Sequence, residues 1–233
     1  LCEKSLTLGL ESTKELFRIA EENNVYFAEA MWTWFNPAAQ KVREWVKSGK
    51  IGEISKFYGD FSVPTRYIGR KKRLFDINLG GGSLFDLGVY PITYAYAIFG
   101  NPKSIEATAY MRHDVDYKTK VIMHYDTFDC VCTCGFMSMK TCPVIIKGNK
   151  GEIWVGPMHH EARKAKLTGE NKETFLDKEN FGCYEREFIK VSEEIKKGLK
   201  QSQFVPKQQT IDCMKIMEEV KKQVGLNYPN DIE

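Results

Sequence analysis

The sequence predicts an α+β fold on a mainly antiparallel sheet, entered through a short piece of parallel α/β structure. Three observations carry this reading. Residues 1–31 run strand, helix, strand once only; residues 105–155 hold five short strand-like runs joined by turn residues; and two amphipathic stretches close the chain as helices. At 233 residues, 42% of them hydrophobic and 28% charged, the chain is long enough for a large core under an ordinary charged surface.

Each element has a local cause. Ser12 to Asn24 reads as a helix because Leu16, Phe17, Ile19 and Ala20 cluster near one face, with Asn23-Asn24 suited to its end. Val25 to Met31 follows as a strand. Asn36-Pro37 opens a second helix with a capping side chain and a proline at the first helical position. Val42, Trp45 and Val46 form its buried stripe and Gly49 ends it. A strand from Ile54 gives way to a basic loop, Arg66 to Arg73, then to Gly80-Gly81-Gly82 and a helix from Ser83 to about Phe99. Strands follow at Ile105–Met111, Lys120–Tyr125, Asp129–Phe136, Val144–Lys147 and Glu152–Val155, and their short connections favour antiparallel pairing. Residues 158–182 read as polar and irregular. The closing helices are Tyr184–Lys197, with Phe188, Val191 and Ile195 inward, and Lys207–Val224, with Ile211, Met214, Met217 and Val220 inward.

Bulk properties narrow the function. A formal charge of +3 is too small and dispersed to imply a nucleic-acid partner, and no apolar run approaches the roughly 20 residues that span a bilayer. Seven cysteines without tight spacing suit a reducing, cytoplasmic compartment rather than a disulfide scaffold. The chain starts at Leu1, in what looks like the end of a buried strand, so the expectation is that something upstream is missing.

Asp86 and Tyr90 are the strongest local pair: four apart on an otherwise apolar helix, they share a face and need a polar partner or a ligand. A buried structural hydrogen-bond pair explains them equally well at this point. Pro91 removes a backbone donor beside Tyr90 and should distort the helix. Lys4 lies at a strand end, where ligands of α/β sheets bind. Trp32 and Trp34 read as packing between layers. In the basic loop Arg66, Arg70, Lys71 and Lys72 read as solvated, with Arg73 the exception nearest the glycines. No metal site is expected. In Cys130-Val-Cys132-Thr-Cys134 alternate strand residues stand about 6.6–7 Å apart, too far for thiolates each about 2.3 Å from one zinc, and His159-His160 lacks matching ligands.

Together these pieces resemble the glucose–fructose oxidoreductase / inositol dehydrogenase / MocA-type family, nearest its dihydrodiol dehydrogenase branch. The resemblance rests on Cys2-Glu3-Lys4, on Glu29-Ala-Met-Trp32, on Arg73-Leu-Phe-Asp76 with Gly80-Gly-Gly-Ser-Leu-Phe-Asp-Leu-Gly-Val-Tyr90-Pro, and on Gly225-Leu-Asn-Tyr228-Pro229. It implies a fold in which residues 1–32 are the end of a Rossmann domain. Residues 33–233 then form a substrate-binding and dimerisation domain, an open, mainly antiparallel sheet with helices on one face. It implies hydride transfer between NAD or NADP and a carbinol carbon of a sugar, polyol or dihydrodiol. Lys4, Asp86 and Tyr90 would be catalytic, Glu3 and Lys4 would meet the cofactor, and Trp32, Arg73 and Phe75 would line the substrate pocket. A Lys4 ammonium beside Tyr90 would favour the phenolate. A homodimer through the open sheet face is implied too.

Two departures qualify the resemblance. Ser5 stands where the family has proline, which predicts a shifted Lys4. No Gly-x-Gly-x-x-Gly phosphate loop occurs in these 233 residues. A sugar- or cofactor-sensing regulator of the same fold, or a dimerisation module, is the alternative. The expected outcome of titrating NADPH into these 233 residues is weak or no binding and no dehydrogenase turnover; micromolar affinity would refute it.

Overall fold

The computed structural model describes residues 1–64, 72–137, 141–179 and 182–229. Arg66, Arg70 and Lys71 of the basic loop lie outside the described residues, as does the Lys72 side chain. The chain opens with β1 (Cys2–Glu3), α1 (Leu10–Glu22) and β2 (Glu29–Ala30). The two strands pair in parallel, Cys2 with Glu29 and Glu3 with Ala30. The strand expected over Val25–Met31 shrinks to two residues because its first half is tied elsewhere. Phe27 N donates to the Lys200 carbonyl, and the Tyr26 hydroxyl donates to Glu194 at 2.6 Å. α2 (Pro37–Lys47) begins as expected, with Asn36 Oδ1 accepting the Ala38 N–H at 2.9 Å.

The remaining strands form one eight-stranded sheet: β3 (Ile54–Ser62), β4 (Ser104–Arg112), β5 (Val115–His124), β6 (Asp129–Gly135), β7 (Val144–Gly148), β8 (Gly151–Val155), β9 (Lys164–Gly169) and β10 (Glu173–Leu176). Their order is β10-β9-β8-β7-β3-β6-β5-β4. Every neighbouring pair is antiparallel except β3–β6. The expectation of an irregular 158–182 segment is overturned by β9 and β10. In β9 only Ala165 and Leu167 are buried, while Lys166 between them points outward and Lys164 before them is half-buried, so the strand reads as polar although it alternates.

One helix layer rests on this sheet. A π-helical turn (Leu84–Gly88) runs into α3 (Val89–Phe99), and α4 (Cys183–Lys196) and α5 (Lys207–Val224) follow. A Cβ at Gly88 would stand 2.8 Å from Cys134 Sγ, so glycine lets the turn lie against β6. Cys130, Cys132 and Cys134 are all buried in the core, where burial pushes their thiols up. α5 turns Ile211, Met214, Met217 and Val220 inward, as its periodicity predicts. α4 does not follow its apolar stripe: Phe188 and Ile195 are exposed, while Arg186, Glu187, Val191 and Glu194 are buried. Polar ties set this rotation. Arg186 pairs with Asp177 at 2.6 Å, and Glu194 accepts from Tyr26 and from the Gln203 N–H.

Asp116 of β5 fixes where the π-turn begins. Its Oδ2 accepts from Ser83 Oγ at 2.7 Å, from the Leu84 N–H at 2.8 Å and from Thr119 Oγ1 at 2.6 Å, all buried. Burial pushes the carboxyl up to about 6, and the Thr119, Ser83 and Leu84 donors oppose the rise. Gly82, at φ +116°, brings the chain so close that a Cβ there would lie 2.2 Å from Asp116 Oδ1. Replacing Asp116→Ala removes the shared acceptor of two hydroxyls and one backbone N–H in the core. The expected loss is about 3 kcal/mol of unfolding free energy, read as a lower midpoint in a denaturant titration.

Candidate functional site

Where β1 ends, the backbone enters a cleft of about 690 Å³ bounded by the π-turn, Trp32, Phe61, His160 and Tyr184. Glu29 anchors this entry. Buried at the start of β2, it accepts the Leu6 N–H at 3.0 Å and the Thr210 hydroxyl at 3.0 Å, which fixes the turn after Lys4. The peptide between Lys4 and Ser5 is cis.

The π-turn meets the strand end with two backbone acceptors. Pro91 carries no N–H, so position 91 donates neither to the Leu87 carbonyl in α register nor to the Asp86 carbonyl in π register. The Asp86 carbonyl accepts from Lys4 Nζ at 2.6 Å, and the Phe85 carbonyl accepts from Ser5 Oγ at 2.8 Å. The distortion expected at Pro91 therefore lies in the preceding turn. The Ser5 hydroxyl stitches the strand end onto the turn, and Lys4 lines the cleft.

Lys4, Asp86 and Tyr90 all line this cleft. Lys4 Nζ lies 3.6 Å from Asp86 Oδ1 and 4.8 Å from the centre of the Tyr90 ring. Arg73 donates to the same Asp86 oxygen at 2.9 Å, so two cations grip one carboxylate. The Tyr90 hydroxyl finds no hydrogen-bond partner among the described residues. Burial pushes it well above the ordinary phenol range, with Glu3, Tyr184, Asp86 and Glu187 adding to the rise. The expectation that Lys4 draws Tyr90 toward the phenolate is thus reversed: desolvation outweighs the ammonium. Lys4 is itself held below the usual lysine range, first by burial, with Asp86 opposing.

Of the residues expected at the substrate, Trp32 and Arg73 line the cleft. Phe75 does not; it packs away from it, with ring centres 5.3 Å from both Tyr117 and Phe136. Three wall residues were not foreseen. The His160 ring stacks on Phe61 at 4.0 Å and lies 5.3 Å from Tyr90, while Tyr184 meets Trp32 edge-on at 4.2 Å. Their signal was an aromatic on each of three separate segments, which only the folded chain brings together. Glu187, buried behind Tyr184, has its carboxyl pushed up to about 7 by burial and by Glu3.

A family model for the GFO/IDH/MocA C-terminal domain matches residues 39–154. The NADP-dependent scyllo-inositol 2-dehydrogenase IolU of Bacillus subtilis is 31% identical over 99% of this chain and 72% of its own length. This chain belongs to the Gfo/Idh/MocA oxidoreductase family. Trans-1,2-dihydrobenzene-1,2-diol dehydrogenase of Mus musculus is 29% identical over the same shares, 99% and 72%. Among solved structures, a 3-ketoreductase from Actinomadura kijaniata in complex with NADP and TDP-benzene superposes with a TM-score of 0.81 at 19% identity, covering 96% of this chain and 70% of that one. Aldose–aldose oxidoreductase from Caulobacter crescentus, complexed with glycerol, gives a TM-score of 0.81 at 16% identity, covering 96% and 69%. These two establish the shared fold.

Burial brings His159, behind the cleft, down to about 4 and His160, in its wall, down to about 3. Both imidazoles stay neutral in the fold and take up protons when it opens. Their stability contribution is therefore complete above about pH 6.5 and is lost as pH falls toward the folded values. Asp116, raised to about 6, works in the opposite sense between about pH 4 and 6. The His159→Phe variant isolates the histidine contribution. Its denaturation midpoint should fall less steeply than the parent's between pH 7 and 5, a difference on the order of 2 kcal/mol at pH 5. Parallel slopes for the two proteins would contradict the neutral buried imidazole.

Proposed function

We propose that this chain carries the substrate side of a nicotinamide-dependent hydride transfer to or from a carbinol carbon of a sugar, polyol or dihydrodiol. The observation that carries the reading is the meeting of Lys4, Asp86 and Tyr90 at one cleft. Lys4 reaches it from a strand end and the other two from a turn more than eighty residues away. Related dehydrogenases that act on scyllo-inositol and on a dihydrodiol support the substrate class.

In this reading Tyr90 exchanges the proton of the reacting oxygen. A buried phenol that holds its proton suits the reducing direction, in which it protonates the oxygen as the carbon receives hydride. The Lys4 ammonium stabilises negative charge on that oxygen, and Asp86 holds Lys4 in place. NAD or NADP, when bound, gives or accepts the hydride. The strand end at Glu3 and Lys4 fits the nicotinamide end of that group, since ligands of parallel sheets sit at the carboxyl ends of strands. The 233 residues contain no glycine-rich loop for its diphosphate. We also read residues 1–32 as the cofactor side and residues 33–233 as the substrate side, with two copies meeting through the uncovered sheet face. Buried thiols at Cys130, Cys132 and Cys134 accord with a reducing, cytoplasmic setting.

Tyr90→Phe tests the assignment in the full-length protein. Its kcat should fall by about 10²–10⁴-fold. Unfolding free energy should move by less than about 1 kcal/mol, because the hydroxyl has no partner among the described residues to lose. Unchanged turnover would transfer the proton step to another group.

A further inference from the structure

The His159-His160 pair has no part in the proton chemistry above, yet one of its rings faces the cleft. His160 is 5% exposed. Phe61 is stacked on it at 4.0 Å and 16°, and Trp32 lies nearly parallel to it at 6.2 Å. The ring is therefore fixed in orientation. Its Nδ1 is enclosed without a hydrogen-bond partner among the described residues. A guest in the cleft is then met by Nε2.

The proton's position follows from the same enclosure. A neutral imidazole has one N–H and one lone pair. Enclosing an N–H without an acceptor costs more than enclosing a lone pair, because orphaned donors are the rarer and dearer case in protein interiors. The proton therefore sits on Nε2, and the ring presents a donor to the cleft. Burial, His159 and Lys4 all oppose a second proton, so the donor carries no charge. Lys4 and Tyr90 already converge on the reacting oxygen, which leaves His160 for a different oxygen of the same molecule.

We propose that His160 is a specificity-determining residue: a neutral Nε2–H donor to a second oxygen of the substrate ring, which makes the site select polyhydroxylated rings over rings with a single hydroxyl. Phe61, Trp32 and Tyr184 supply apolar faces for the C–H side of such a ring, and His160 supplies the directional contact among them. The assignment of the reacting oxygen rests on the hydride-transfer reading; the binding preference does not.

The experiment compares scyllo-inositol with cyclohexanol in the full-length protein, using His160→Phe, which keeps the stacking ring, and His160→Gln, which restores an N–H donor. Binding is read by tryptophan fluorescence, without added cofactor, and turnover with NADP or NADPH is read separately. The expected result is weaker scyllo-inositol binding by about 10- to 100-fold in His160→Phe, unchanged cyclohexanol binding, and partial recovery in His160→Gln. Nitrogen NMR of the parent should place the proton on Nε2 from pH 6 to 8. Equal losses for both alcohols, scyllo-inositol binding untouched by His160→Phe, or a charged ring in that pH range would each overturn the proposal. Normal binding preference without turnover would sink the hydride-transfer reading and leave the His160 assignment standing.

Discussion

The hydrogen bond from Lys4 Nζ to the Asp86 carbonyl ties the end of a strand to a distorted turn of helix. Pro91 withholds an N–H just past the turn over Leu84–Gly88, which runs in π register, and the Asp86 carbonyl of that turn accepts from the lysine at the end of β1. A lysine can reach that carbonyl only if its strand stops at the right height. Glu29 and Ser5 see to this from two sides, one holding the Leu6 N–H and the other the Phe85 carbonyl. On the far side Asp116 fixes the start of the same turn. The ammonium, the carboxylate and the phenol are placed by backbone geometry as much as by their own side chains.

The electrostatics follow from that placement. Lys4 and Tyr90 are both mostly buried, and burial favours the uncharged form of each: the lysine is drawn down and the tyrosine driven up. Asp86 is the counterweight. Paired with Lys4 and with the more exposed Arg73, it keeps a compensating charge at the cleft edge. The site therefore holds its proton on oxygen, next to a cation that is costly to keep charged. Such a pairing is easily biased by whatever charge enters the cleft.

Much of this was legible in the sequence, and what was not has identifiable causes. Capping chemistry marked Asn36-Pro37, and α5 declared its inward face because its apolar residues keep a helical period. The Asp86 and Tyr90 pair stood out because two polar groups interrupt an apolar run. α4 misled, since its buried face is held by the Arg186–Asp177 and Tyr26–Glu194 contacts, and long-range polar pairing leaves no periodic trace. β9 was hidden because lysines alternate with its two buried apolar residues, and β10 because it is only four residues long with none of them fully buried. His160 and Phe61 are about a hundred residues apart, so no local pattern foretold their stack. Ser5 read as a defect against a proline motif, and its hydroxyl became useful only once the Phe85 carbonyl lay beside it.

The position of β3 has a bearing on how the chain assembles. β4, β5 and β6 form one meander, and β7 to β10 form another, each closed by neighbours in sequence. β3 lies between them, pairing in parallel through residues 56–62 with residues 129–135 on one side and antiparallel to β7 on the other. It is made first and can be housed last, since both its edges wait for strands translated much later. Contacts of that span slow folding, because their loops must close before any pairing is gained. Until then a strand with two open edges, carrying Phe57, Tyr58 and Phe61, is exposed on the nascent chain, which makes β3 a segment where folding and aggregation compete.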